Sequence, residues 1–288
     1  MVHAFDLVHR KPNGRLDYQY ITIAANKIIF CFHSFSEKEN TVEYQQEGDN
    51  CDLVCFQFDT KSKLENSNFV SVFCDDLGEI LLQQTFAIYH FSIIPEENYI
   101  CPDSISSQIL STIMTSLRLK SVKVGIAFLR PAIFGFEQVM NLLSHINPKS
   151  LRRLILKFSA DSCVQEDIEN VFSLERWSAF KNLHFDVNLH TVSEKELLFI
   201  KKILTTSRIF KCIRIHYEQL DNEKINGILG LPCREHFDGS YRYTRVPNSK
   251  NPVLHTCENI LMAYWKPNKE DYKSLPTTDE DLMLFGVC

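Results

Sequence analysis

Glycine is scarce in this 288-residue chain, nine residues in all. Neither a G-x-S-x-G turn nor a glycine-rich loop that could cradle a phosphate occurs, so close backbone approach to phosphate has few candidate positions. No serine or cysteine is joined in the sequence to a credible base and an oxyanion-binding turn. An enzyme is therefore not expected, and no cofactor is implied. Apolar runs are broken by polar or charged residues well short of the about 18 residues needed to span a bilayer, so a membrane partner is not expected. No continuous basic block occurs and the formal net charge is -5, which argues against a generic grip on nucleic acid. N-x-[ST] acceptor sites are absent and no cleavable signal peptide is recognisable. The ten cysteines are scattered through strand-like segments without a dense framework. A reducing compartment, cytoplasmic or nuclear, is the expected setting.

What is present is alternation. A content of 44% hydrophobic and 23% charged residues suits a globular chain with a sizeable core. Five segments share the template apolar-x-x-apolar-x-apolar-x-apolar, beginning at Phe86, Ser121, Leu151, Phe180 and Phe210, with starts 29 to 35 residues apart. Stacked as rows, they predict one inward column of Tyr89, Val124, Leu154, Leu183 and Ile213. A second column holds Phe91, Ile126, Leu156, Phe185 and Ile215, because strand side chains alternate between faces. Helical spacing fills the intervals at Ser104 to Leu117, Phe136 to Ile146, Cys163 to Phe180 and Ser193 to Thr205. The last opens on a Ser193-x-x-Glu196 capping box. The fold class expected is α/β: a leucine-rich-repeat-like strand-helix stack with β-rich N-terminal and C-terminal ends.

Four stretches follow from this reading. Residues 1–65 form a β-rich N-terminal segment with strands at Tyr18 to Ala24, Lys27 to Phe35, Thr41 to Gln46 and Leu53 to Phe58. Residues 66–235 hold the repeats, with Lys61 to Asn68 as the entering loop and a first helix at Asp75 to Gln84. Residues 236–266 supply closing strands at Tyr241 to Val246 and Ile260 to Trp265, and residues 267–288 an acidic and apolar tail.

In such a stack the outward strand positions are Lys123, Arg153, Ile155, Lys157, His184, Asp186, Arg214 and His216. Of these, Lys123, Arg153, Lys157, His184, Arg214 and His216 are the expected partner-binding residues, because a face rich in cations selects an acidic segment of a protein target. The bland reading is a solvated face whose charges oppose aggregation. Cys233-x-x-His236 with His255-x-Cys257 supplies zinc-type ligands, but the spacing is loose and Cys31-x-His33 has the same local property. No metal site is therefore expected. Cys51-x3-Cys55 reads as structural, and His236-Phe-Asp238 as a turn rather than an acid/base pair. Trp177, three residues before Phe180, is expected in the core rather than on a binding surface.

Several of these segments carry a resemblance. Ile146-Asn-Pro-Lys-Ser-Leu151 precedes a strand, followed by Ser173-Leu-Glu-Arg-Trp177-Ser-Ala-Phe180-Lys-Asn-Leu183, by the capped helix from Ser193, and by a strand at Cys212 to Tyr217. Together with the Tyr241 to Trp265 pattern around Pro247-Asn248-Ser249, this order resembles the nematode F-box-associated FTH domain family. The resemblance implies a substrate-recognition subunit of a cullin-RING ubiquitin ligase, in which an F-box docks on a Skp-type adaptor and the FTH region presents the target. The chain departs from that pattern before Tyr18, where 17 residues stand. These include Pro12 and Gly14 and lack long helical periodicity, so no F-box is recognisable and the Skp-type adaptor is a doubtful partner. The alternative is an F-box-less protein that binds or sequesters its target with no ligase role.

Overall fold

Alternation in Tyr-Gln-Tyr-Ile-Thr-Ile and Lys-Ile-Ile-Phe-Cys-Phe-His forces two strands, β1 (Tyr18–Ile23) and β2 (Lys27–His33). Gln19, Ile21 and Ile23 are buried on the same face as Ile28, Phe30 and Phe32. The computed structural model describes residues 16–35, 38–157, 177–180, 183–206, 210–219, 222–229, 232–235, 241–245, 252–257 and 260–265. An antiparallel meander continues through β3 (Asn40–Glu47), β4 (Asn50–Cys55) and β5 (Thr60–Leu64). β4 ends three residues earlier than alternation suggested, leaving Phe56 and Phe58 exposed in the following turn. The stretch read as an entering loop begins with strand β5, whose polar sequence suits an edge position with no buried face.

Asn68 sets the start of the first helix, α1 (Phe69–Gln83): its Oδ1 accepts from Val70 N at 2.9 Å and Ser71 N at 3.2 Å. The helix therefore begins six residues before the Asp75 expected. After it come β6 (Ile88–Pro95), α2 (Asp103–Arg118), β7 (Ile126–Pro131), α3 (Phe136–Ser144) and β8 (Arg153–Lys157). The helix expected at Cys163 to Phe180 lies outside the described residues except for Trp177 to Phe180. β9 (Leu183–Thr191), α4 (Glu194–Thr206), β10 (Phe210–Gln219) and α5 (Asn222–Leu229) follow. The pair Ser193 and Glu196 caps α4: Ser193 N donates to Glu196 Oε2 at 2.6 Å, the reciprocal half of the expected box, while Ser193 Oγ accepts from Lys195 N at 3.2 Å, one residue before the amide the box uses.

The closing strands are β11 (Pro232–Glu235), β12 (Tyr241–Arg245), β13 (Pro252–Cys257) and β14 (Ile260–Trp265). Among the described residues, fourteen strands form one sheet in a mixed α/β fold, in the order β11-β12-β13-β14-β10-β9-β8-β7-β6-β1-β2-β3-β4-β5. Strands β6 to β10 run parallel in chain order, and β1 joins β6 in parallel, tying the N-terminal meander to them. The helices between successive parallel strands are expected to return over one face of the sheet. Their buried residues join the inward strand residues in a single core.

The inward columns differ from those the template predicts. Register aligns Phe91, Leu129, Leu154, Phe185 and Ile213 in one column; the next pairs Ile93 with Pro131 on β6 and β7, and Leu156, Val187 and Ile215 on β8, β9 and β10. Only the β8 and β10 rows match the template. The cause in β6 is a bulge: Tyr89 N and His90 N both donate to Asp17 O, at 2.8 and 2.9 Å. Two consecutive residues therefore face outward, and Tyr89 is 46% exposed. In β7, Ala127 and Phe128 are both half-buried between buried Ile126 and Leu129, and Val124 stands before the strand in a lone bridge to Ile146. Trp177 is fully buried against Phe136, Phe180 and Phe185, as its sequence position implied.

Candidate functional site

Opposite the helices, the outward strand residues are packed side by side in rungs across the sheet. One rung passes through β2, β1, β6, β7, β8 and β9 without a break in register: His33, Tyr18, His90, Phe128, Arg153, His184. All six are planar and half-buried. Five inter-strand spacings make the rung about 24 Å long.

Neighbours along it are in ring contact, stacked at one junction and tilted at others, with Tyr18 and His90 the most widely spaced ring pair at 6.4 Å and 38°. His33 and Tyr18 stack at 4.4 Å between centroids and 7° between planes, and His90 lies 3.9 Å from Phe128. The Arg153 guanidinium sits 5.2 Å from the Phe128 ring centre, a cation-π contact. Beyond it, Arg153 Nε donates to Asp186 Oδ2 at 2.9 Å, with Nη2 on the same oxygen. At the other end Tyr18 meets Phe35 and Tyr89, with the three ring centres 5.1 to 5.4 Å apart. Phe35 is 59% exposed, so this trio forms an aromatic surface at the end of the rung.

Electrostatics divide the rung into a neutral half and a cationic half. His90 is held down to about 4, first by burial and then by the nearby charges of Arg130 and Arg153, so its imidazole is neutral at pH 7. Its Nδ1 shares a hydrogen bond with the Tyr20 hydroxyl at 3.4 Å. Burial also raises Tyr18 and Tyr20 above their ordinary value. Arg130 stands in register with Ser92, one step along β7 from the rung, and its buried Nε has no hydrogen-bond partner among the described residues. Arg152, exposed at the entry to β8, adds a further cation.

The sequence-derived candidates divide accordingly. Arg153 and His184 are adjacent on the rung. Arg214 is in register with Asp186, and His216 with Asn188. Arg214 and Asp186 are not the solvated positions expected: they are 5% and 3% exposed, side by side in register on β10 and β9. His216 is lowered from its ordinary value, chiefly by burial, with Asp186 opposing and Arg214 and Arg153 reinforcing. Lys157 stands at the end of β8, in register with Asn188. Lys123 is off the face altogether. It precedes β7, and its Nζ donates to Ser144 O at 2.6 Å at the end of α3. Its expected place on β7 is taken by Phe128 and Arg130.

Tyr18, Tyr20, His33, His90, Phe128 and Arg130 were missing from the sequence-derived set. The alternations Tyr18-x-Tyr20 and Phe128-x-Arg130 are the signals that could have found four of them.

Among the described residues no three His, Cys, Asp or Glu side chains gather as metal ligands. Cys31 and His33 share the outward side of β2, but His33 stacks on Tyr18 and the Cys31 thiol takes a hydrogen bond from Thr41 at 3.4 Å. His236 and Asp238 lie outside the described residues, as do the side chains of Cys233, His255 and Cys257. No helix among the described residues is long and apolar enough to cross a membrane. No protein-family model matches the chain, and no curated protein or solved structure is significantly similar to it.

Proposed function

We propose that this chain is a protein-interaction module whose open sheet face captures an acidic segment of a protein partner. The observation that carries this reading is the planar rung, with Arg153 on it toward one end, Arg130 beside it, and aromatic surface toward the other end. An aromatic and arginine surface is the composition of binding hot spots. A single-stranded nucleic acid fits less well, because stacking successive bases needs a row of free ring faces, and along the rung His33 covers Tyr18 while Phe128 is covered by His90 and Arg153, which leaves the open ring surface concentrated at the Tyr18, Phe35 and Tyr89 end.

The strand-helix units read best as a leucine-rich-repeat-like stack, supported by the sequential parallel strands β6 to β10 and by the helices between them. On the resemblance to FTH proteins, the captured protein is a target presented to a ubiquitin ligase. The second reading is a sequestering module that acts without a ligase. A reducing compartment, cytoplasm or nucleus, suits the free thiols at Cys31, Cys51, Cys55, Cys74 and Cys101.

Affinity capture with the tagged 288-residue chain, followed by mass spectrometry, tests both readings. Recovery of a Skp-type adaptor and a cullin supports the ligase role. Their absence, beside a reproducible acidic partner that is lost with Arg130→Glu, supports sequestration. A capture profile unchanged by Arg130→Glu defeats the acidic-segment reading.

A further inference from the structure

Resting on that reading, we infer that the face recognises a linear segment with a fixed internal spacing: an aromatic or large apolar anchor and, about four residues away, a pair of acidic side chains. Three observations set these terms. The anchor position is the trio Tyr18, Phe35 and Tyr89. Its rings lean on one another at angles of 60° to 78°, and the outer two, Phe35 and Tyr89, are 59% and 46% exposed. Exposed rings that touch only in part leave apolar surface that an incoming ring or aliphatic side chain covers.

The acid-binding position is Arg130 with Arg153. Arg153 already spends its guanidinium on Asp186, whereas the buried Arg130 Nε has no partner among the described residues. A buried guanidinium donor left unpaired is costly, and a carboxylate laid against this half-buried arginine offsets that cost with a charge-assisted pair. The stretch between the two positions is electrically quiet, because His90 is neutral at pH 7 and Phe128 carries no charge.

Distance follows from the sheet. Arg130 lies two strands from Tyr18 and two residues along β7, and Arg153 lies three strands away on the rung itself. With about 4.8 Å between strands and about 3.3 Å per residue, the separation is about 12 to 14 Å, which an extended peptide covers in about four residues. The partner segment therefore runs across the strands rather than adding to a sheet edge. Its direction is set by which end carries the anchor. Acidic side chains alone would give steering; the anchor at the right distance gives selection.

The test uses the full chain and fluorescence anisotropy with synthetic peptides. The reference peptide carries one tryptophan, three neutral spacer residues and two glutamates. Comparison peptides carry alanine for tryptophan, glutamine for both glutamates, or a single spacer residue. The reference is expected to bind at least tenfold more tightly than each comparison peptide. That advantage should shrink to under threefold in Tyr89→Ser and in Arg130→Met, each first shown by thermal melting to be folded.

Equal binding of the two-glutamate peptides whatever their anchor and spacing would overturn the motif while leaving acidic capture standing. If no glutamate-containing peptide binds the folded chain, the motif and the capture reading both fall. Should one variant not fold, the spacing series on the unmodified chain decides the matter alone.

Discussion

Arg153 and Asp186 pair across β8 and β9, with Nε 2.9 Å from Oδ2 and the carboxylate almost wholly out of water at 4% side-chain exposure. Arg153→Met removes the cation and leaves a buried charge. Such breakage costs about 3–5 kcal/mol, and the lower end is expected here because Arg153 is itself 31% exposed and Arg214 stands in register with Asp186. Urea unfolding should show the loss, with most of it recovered in Arg153→Met/Asp186→Leu. A single variant as stable as the parent would mean that the pair contributes nothing to stability.

His90 makes stability depend on pH below neutrality. Its folded-state value is about 4 against an ordinary 6.5, so the unfolded chain binds the proton more readily between these limits. The stability that neutral His90 contributes is therefore present in full above pH 6.5 and is lost as pH falls from 6.5 toward 4. His216, also lowered, acts in the same direction. The denaturation midpoint should fall over this range and fall less steeply in His90→Asn. Equal slopes in the two proteins would remove His90 from the account.

Trp177 is fully buried, with ring centres of Phe185, Phe180 and Phe136 at 5.1, 6.0 and 6.4 Å. Trp177→Ala leaves a cavity where α3, β9 and the residues before β9 meet, and the expected loss is about 3–5 kcal/mol. Chemical denaturation measures it. A stable variant with lost partner capture would reassign Trp177 from packing to recognition.

Local signals carried much of the fold. Alternation alone places β14 at Ile260–Trp265, and Ser193 with Glu196 marks the start of α4 as the structure has it. Trp177 is legible because large rings three residues apart on an apolar stretch rarely face water. β5 escaped because Thr-Lys-Ser-Lys-Leu buries no face and is fixed only by pairing with β4. The repeat columns slipped where Asp17 O accepts from two successive amides, a bulge invisible to a counted period. The same slip hid the rung. Which side chains lie beside Arg153 depends on the register of five neighbouring strands, a non-local property that residue spacing within one segment does not contain. Arg153 and His184 could be named from alternation alone. That Phe128 lies under Arg153, and that His90 lies beside Phe128, could not.

Gly125 stands just before β7, between the residues that enter β6 and β8, and among the described glycines it is the one where an added Cβ meets the nearest atoms. Its carbonyl accepts from Ile88 N at 2.8 Å. A Cβ there would lie 3.0 Å from Ala87 Cβ and 3.3 Å from Ser150 Cβ, atoms fixed to their backbones that cannot swing aside. Ser150 is further held because its Oγ accepts from Ile126 N at 3.0 Å. Gly125→Ala should therefore push adjacent strand entries apart, with an expected cost of about 1–3 kcal/mol from overpacking. Because Phe128 follows three residues later, the displacement should also loosen its contact with His90, raising the pH at which His90 titrates. Thermal melting reads the first effect and NMR titration of the His90 imidazole the second. Ala87→Gly placed in the same chain relieves the shorter contact and should return part of both; no recovery would show that the strand entries are not what limits this site.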